Sequence, residues 1–170
     1  MRAEINPVAV CDEDSTICFE VESEQTGVSH ITKSGGVRIR SIMLDTYLRE
    51  KGVDRVDLLK LDIEGYELTA LRGAECALRD RRIKAIYFEY FEKYLVRVTP
   101  PYELLEYLEF LSYKVCFCRD SDLFAQGGYP TVTLRDGLPG HGLPLIPISG
   151  RTVPAMTDLL AVPRENLISI

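Results

Sequence analysis

The sequence predicts an α/β protein with a largely parallel sheet. Three observations carry that class. Through the middle of the chain, apolar and amphipathic runs alternate as strand, helix, strand, helix, strand, the order that builds βαβ units. The 170 residues, 46% hydrophobic and 27% charged, suit one packed domain and exclude a disordered chain. Acids also crowd the point where one apolar run passes into a helix, in "VDLLKLDIEGYELTALRGA" (56–74). Open α/β sheets bind ligands beyond such strand ends.

The elements follow in order. "INPVAV" (5–10) reads as a short strand and "CDEDS" (11–15) as a polar turn. "TICFEVES" (16–23) alternates imperfectly and "VRIRSIML" (37–44) alternates at first, so both read as strands paired in an antiparallel excursion. The Ser, Thr and Gly of 23–36 mark the loop between them. "DTYLREKG" (45–52) predicts a short helix, with Asp45 as N-cap and Gly52 as C-terminal stop. "VDLLKLDI" (56–63) is the next strand. The helical segment after it puts Leu68 and Leu71 on one face and ends at Gly73, and "ECALRDRR" (75–82) is a second one. "IKAIYFEYF" (83–91), rich in Ile, Tyr and Phe, is a buried strand.

"PPYELLEYLEFLSY" (100–113) is the clearest helix. Its prolines stand where a missing N–H does no harm, and Leu104, Leu105, Leu108 and Leu111 form the buried stripe. "KVCFCR" (114–119) and "DLLAVP" (158–163) are strands. Between them, 11 of the 28 residues of 127–154 are Gly or Pro, which predicts a long loop.

Charge and cysteine usage narrow the function. The net charge is −6, which gives no general attraction to nucleic acid or anionic lipid. The one dense basic group, "RDRR" (79–82), reads as a solvated helix end. Five cysteines with no CxxC read as small apolar residues of a reducing compartment. No apolar run approaches a membrane span and the N-terminus lacks a signal core, so the expected location is cytoplasmic.

Asp62 and Glu64 stand where strand 56–63 delivers the chain to a helix, and Glu89 holds the matching place in the next strand. Acids before a helix also simply complement its dipole, and Glu67 reads as such a first-turn acid. Glu89 is more telling, because a charge among "IYFEYF" needs a partner or a wet cleft. Gly65 either relieves crowding at the turn or lets a ligand approach the backbone. A metal on Asp62, Glu64 and Glu89 is conceivable from ligand type, but no metal is assigned. His141 is a candidate base by residue type alone, or a solvated loop residue.

The stretch 56–74 resembles the signature of FkbM-family methyltransferases, an Ile or Val followed by DLLK, an apolar residue, D, a second apolar residue, and EG. The similarity extends to "NPVAVCDED", "SIMLDTYLREKG", "IKAIYFEYFEKY" and "TDLLAVPRE", and so covers about residues 5–120 and 157–165. It implies S-adenosylmethionine-dependent methyl transfer to a hydroxyl of a saccharide, lipid-linked or polyketide-type acceptor. It also implies a Rossmann-like class I methyltransferase sheet. On that resemblance Asp62, Glu64 and Glu89 are the catalytic acids, with Asp62 chosen to orient the acceptor and take its proton. Asn6, Ala9, Asp62 and Gly65 lie along the cofactor.

Complete members of that family begin with a strand, a glycine-rich turn and a helix, and no counterpart precedes Ile5. "SGG" (34–36), "GG" (127–128) and "GHG" (140–142) lack the strand-turn-helix setting. The expectation is one partial, N-terminally truncated domain over 1–170, incomplete at its N-terminal strands and without a full cofactor site. Strand 56–63 should then carry an open apolar edge where a second copy or a complementing chain pairs. The alternative function is a non-catalytic binding or assembly module derived from a methyltransferase.

Overall fold

The computed structural model describes residues 3–21, 29–32, 36–117, 132–134, 145–148 and 153–169. His141, Cys118, and most of the segment 127–154 lie outside the described residues. Backbone contacts divide the chain into two compact units, Met1–Val53 with Thr69–Cys76, and Asp54–Leu68 with Ala77–Ile170.

The first unit holds a four-stranded sheet in the order β1-β4-β2-β3, built from β1 (Ala9–Cys11), β2 (Ser15–Val21), β3 (Ser29–Thr32) and β4 (Val37–Met43). β2 pairs antiparallel with β4, Ser15 opposite Ser41, as the alternating patterns predict, and β1 pairs parallel with β4. Helix α1 (Leu44–Glu50) follows β4 without a break. Its N-cap is Met43, not Asp45. The capping oxygens come from outside the helix: Asp14 Oδ1 accepts the Met43 N–H at 2.7 Å and Oδ2 accepts the Thr46 hydroxyl at 2.8 Å. Asp45, two residues past the N-cap position of its own helix, accepts the Cys76 N–H at 2.8 Å at the start of α3 (Glu75–Arg79). Gly52 has φ 63° and ends α1 in the left-handed conformation that glycine tolerates.

Helix α2 (Glu67–Arg72) ends at Gly73, where a Cβ would stand 2.0 Å from the Cys11 carbonyl oxygen. This glycine is required by the close passage of another strand rather than by its own φ.

The second unit holds a five-stranded sheet in the order β5-β6-β10-β7-β9. Its strands are β5 (Leu59–Leu61), β6 (Ile86–Phe91), β7 (Tyr113–Phe117), β9 (Ile146–Pro147) and β10 (Met156–Pro163). A two-stranded ladder joins β8 (Val132–Leu134) to β11 (Leu167–Ser169). The expectation of a largely parallel sheet needs correction. β5 and β6 pair in parallel, but β10 lies between β6 and β7 and is antiparallel to both. β5, β6 and β7 thus run in one direction, separated by helical crossovers, and a chain segment from far downstream enters between them. Its apolar sequence "DLLAVP" identifies a strand and not its neighbours.

Helix α5 (Pro101–Phe110) buries Leu104 and Leu108, its C-cap Leu111 is buried too, and Leu105 is half-exposed, so the stripe is narrower than predicted. The single turn α4 (Glu92–Leu95) follows β6 directly and buries Leu95. Arg81 is not a solvated helix-end cation. Its Nη1 donates to the Leu78 and Leu111 carbonyls at 3.0 and 2.8 Å, and its Nε pairs with Glu165 at 3.0 Å. Beside it, the buried Tyr113 hydroxyl donates to the Ile83 carbonyl at 2.6 Å. Burial pushes that phenol up to about 12.

Candidate active site

The site begins with the turn between β5 and α2. Tyr66 N–H closes it on the Ile63 carbonyl at 3.3 Å, and two successive residues are left-handed, Glu64 (φ 57°) and Gly65 (φ 100°). A left-handed non-glycine residue costs about 1–2 kcal/mol, so something must hold Glu64 there. Gly65 is required twice, for its φ and because a Cβ would lie 2.6 Å from the Tyr94 carbonyl oxygen. Of the two roles open to it, crowding against its own chain accounts for the glycine.

Glu67 is only 2% exposed. Its Oε1 accepts the Ile63 N–H at 3.2 Å and the Gly65 N–H at 3.4 Å. It therefore does more than complement a helix dipole. It folds back onto the amides of the turn, which a residue type usually solvated in the first helical turn does not announce.

The parallel register then sets the acids in line. Leu59, Lys60 and Leu61 lie beside Ile86, Tyr87 and Phe88, so the next step places Asp62 beside Glu89. On the other side of β6, Asp158 of β10 stands opposite Glu89. Side chains alternate along strands. Leu61, Phe88 and Leu159 accordingly point into the core, and Lys60, Asp62, Glu89 and Asp158 share the other, more open face. Lys60 Nζ donates to Asp62 Oδ2 at 2.7 Å.

The electrostatics follow from this crowding. Burial, then the like charges of Asp62, Glu64 and Asp158, hold the Glu89 carboxyl above the usual carboxylate range, with Lys60 opposing. Burial, Asp62 and Glu67 push Glu64 up, with Arg97 opposing. For Glu67, burial outweighs the Ile63 and Gly65 amides, and Glu89 adds repulsion. Lys60 is raised, first by its bond to Asp62 and then by the field of the Asp158 and Glu89 carboxylates. Among the described residues, Glu64 Oε2 and Glu67 Oε2 are buried with no hydrogen-bond partner.

The second unit thus gathers Asp62, Glu64 and Glu89 at one rim, and adds Asp158, which sequence reasoning missed. The signal was an acid leading an apolar strand; the antiparallel register that makes it matter was not legible. Asn6 and Ala9 belong to the first unit. Asn6 Nδ2 donates to the Tyr47 hydroxyl at 2.9 Å, and Ala9 lies beside Ser41 in β1. Among the described residues, no group of three or more His, Cys, Asp or Glu is placed to hold a metal ion.

Fold and site define a mixed α/β chain with carboxylates collected at the carboxyl ends of two parallel strands. The family profile described as Methyltransferase FkbM domain matches residues 2–115, and the chain belongs to this methyltransferase family. No curated protein and no solved structure matches the chain.

Proposed function

We propose that the chain serves S-adenosylmethionine-dependent transfer of a methyl group to a hydroxyl of a saccharide, lipid-linked or polyketide-type acceptor. The observation that carries this reading is the row Asp62, Glu89 and Asp158 at the carboxyl ends of β5 and β6. The co-directional β5, β6 and β7, joined by helical crossovers, support a Rossmann-like sheet with its ligand side at those ends.

The donor set fits a cationic cofactor: carboxylates outnumber bases at the rim, and two buried carboxyl oxygens lack partners. S-adenosylmethionine supplies a methyl group on a sulfonium centre, and Asp62 and the Gly65 backbone would lie along it. The protein's own task is to align the acceptor and exclude water. Asp62 is occupied by Lys60 and suits an orienting role. Glu89, pushed up by its surroundings, takes the acceptor proton when ionised.

Calorimetric titration with S-adenosylmethionine tests the reading. A Kd between about 10 µM and 1 mM is expected, weakened at least about fivefold by Asp62→Asn. No binding, or binding indifferent to Asp62, refutes it.

One observation favours a second reading, a binding or assembly module. Among the described residues β5 is the terminal strand of its sheet, and Leu58 beside it is 55% exposed. Such an edge can pair with a second copy or another chain. That reading predicts indifference to Asp62→Asn and sensitivity to Leu58→Lys in the oligomeric state. We further propose a cytoplasmic location, in keeping with five cysteines and no CxxC pair in the sequence. Among the described residues no helix is long and apolar enough to cross a membrane.

A further inference from the structure

We propose that Glu67 is a positioning residue: its buried carboxyl group, through Oε1 on the Ile63 and Gly65 amides, holds the left-handed turn that carries Asp62 and Glu64 to the rim. The proposal rests on the functional reading above only for what the rim binds.

The geometry leads to it in three steps. First, the turn is held against preference, because Glu64 adopts φ 57° with a full side chain. A conformation of this kind persists only where the surroundings over-determine it. Second, the Tyr66 N–H reaches the Ile63 carbonyl only at a long 3.3 Å. The two amides that flank Glu64 both point at Glu67 Oε1, at 3.2 and 3.4 Å. Third, the choice of an acid is costly. At 2% exposure, with Oε2 unpartnered and the like-charged Glu89 nearby, a carboxyl group is a poor residue for filling a core. What it supplies at this position is an acceptor oxygen long enough to reach both amides from the first residue of α2. Gly65 locks the other side of the turn, where the Tyr94 carbonyl leaves no room for a Cβ. Glu67 and Gly65 thus fix the turn from opposite sides, with Glu64 between them.

Two variants of the full 170-residue chain test the assignment. Glu67→Gln keeps an oxygen acceptor at the same reach. Glu67→Leu keeps the volume and removes the acceptor. Amide hydrogen exchange followed by NMR reads the turn, with Phe88 and Leu159 as core references. In Glu67→Gln, protection at Ile63 and Gly65 should stay within about twofold of the parent. In Glu67→Leu it should fall at least about tenfold while the references hold, and the Glu64 and Glu89 carboxyl titrations should shift. Affinity for S-adenosylmethionine should fall at least about tenfold in Glu67→Leu and be retained in Glu67→Gln.

Unchanged protection in Glu67→Leu overturns the proposal, as does equal loss in both variants. If Glu67→Leu does not fold, Glu67→Gln alone decides: retained protection supports the role of the acceptor, and a tenfold loss refutes it. If the parent chain binds no S-adenosylmethionine, the functional reading fails, while the exchange result still upholds or overturns the role of Glu67.

Discussion

Gly65→Ala is the substitution whose cost the structure fixes best. Two contributions are separable. An alanine at φ 100° enters a region that side-chain-bearing residues avoid, at about 1–3 kcal/mol. Its Cβ would also meet the Tyr94 carbonyl oxygen at 2.6 Å, the Tyr94 carbonyl carbon at 2.7 Å and the Leu95 nitrogen at 3.1 Å. Every one of these atoms is backbone, and Leu95 is fully buried, so no flexible side chain can yield. To recover ordinary contact at 3.4 Å, α4 and the turn must separate by 0.8 Å (3.4 − 2.6). Overpacking of that kind costs about 1–3 kcal/mol. The sum, about 2–6 kcal/mol, is a large share of the 5–15 kcal/mol available to a typical domain. Gly52→Ala is the matched control, since Gly52 has φ 63° and nothing within 4 Å of its Cβ position. Urea unfolding followed by circular dichroism should show Gly65→Ala losing about 1–3 kcal/mol more than Gly52→Ala. Equal losses would refute the packing argument and reopen Gly65 as a glycine kept for a ligand.

Gly73→Ala should destabilise the first unit by about 3 kcal/mol or more, because its Cβ would stand 2.0 Å from the Cys11 carbonyl oxygen; amide exchange in β1 and β4 reads this. Tyr113→Phe should cost about 1 kcal/mol in urea unfolding by leaving the buried Ile83 carbonyl unpaired. The Tyr113 phenol is raised to about 12, so its contribution is complete below about pH 10 and is lost as pH rises through 12. Glu67 is also raised, so the folded state binds its proton more tightly than the unfolded chain does. Its contribution is present below the unfolded value of about 4.3 and fades as pH rises through the folded value. The parent should therefore lose stability relative to Glu67→Gln on going from pH 4 to pH 7, and a constant difference would contradict the raised value. Asp14 works in the opposite sense. Its carboxyl is lowered, by the Met43 N–H first and then the Thr46 hydroxyl, so its stabilisation is present at neutral pH and lost in acid. The deficit of Asp14→Ala should accordingly vanish at the lowest pH.

Local pattern made much of this molecule legible. The β2–β4 pairing, α1 with its stop at Gly52, α5 with its leading prolines, and the apolar strands β6 and β7 all announce themselves by periodicity and punctuation. So did the collection of Asp62, Glu64 and Glu89 at one rim, because parallel neighbours put equivalent positions side by side. What stayed hidden depends on partners distant in sequence. Asp14 caps a helix about thirty residues away and Asp45 reaches Cys76, so the local rule that an acid caps its own helix misassigned Asp45 and was silent on Asp14. The insertion of β10 between β6 and β7 turned an expected parallel sheet into a mixed one and brought Asp158 to the rim. Glu67 looked like an ordinary first-turn acid, and only burial set it apart.

On the proposed function, the rim of Asp62, Glu64, Glu89 and Asp158 receives a cationic methyl donor. Paired NMR titrations with S-adenosylmethionine and its product S-adenosylhomocysteine, which lacks the sulfonium charge, test it most directly. The charged donor should bind at least about fivefold more tightly, a difference of roughly 1 kcal/mol, with shifts centred on Lys60–Glu67 and Tyr87–Glu89. Equal affinities, or shifts that leave those residues untouched, would contradict it.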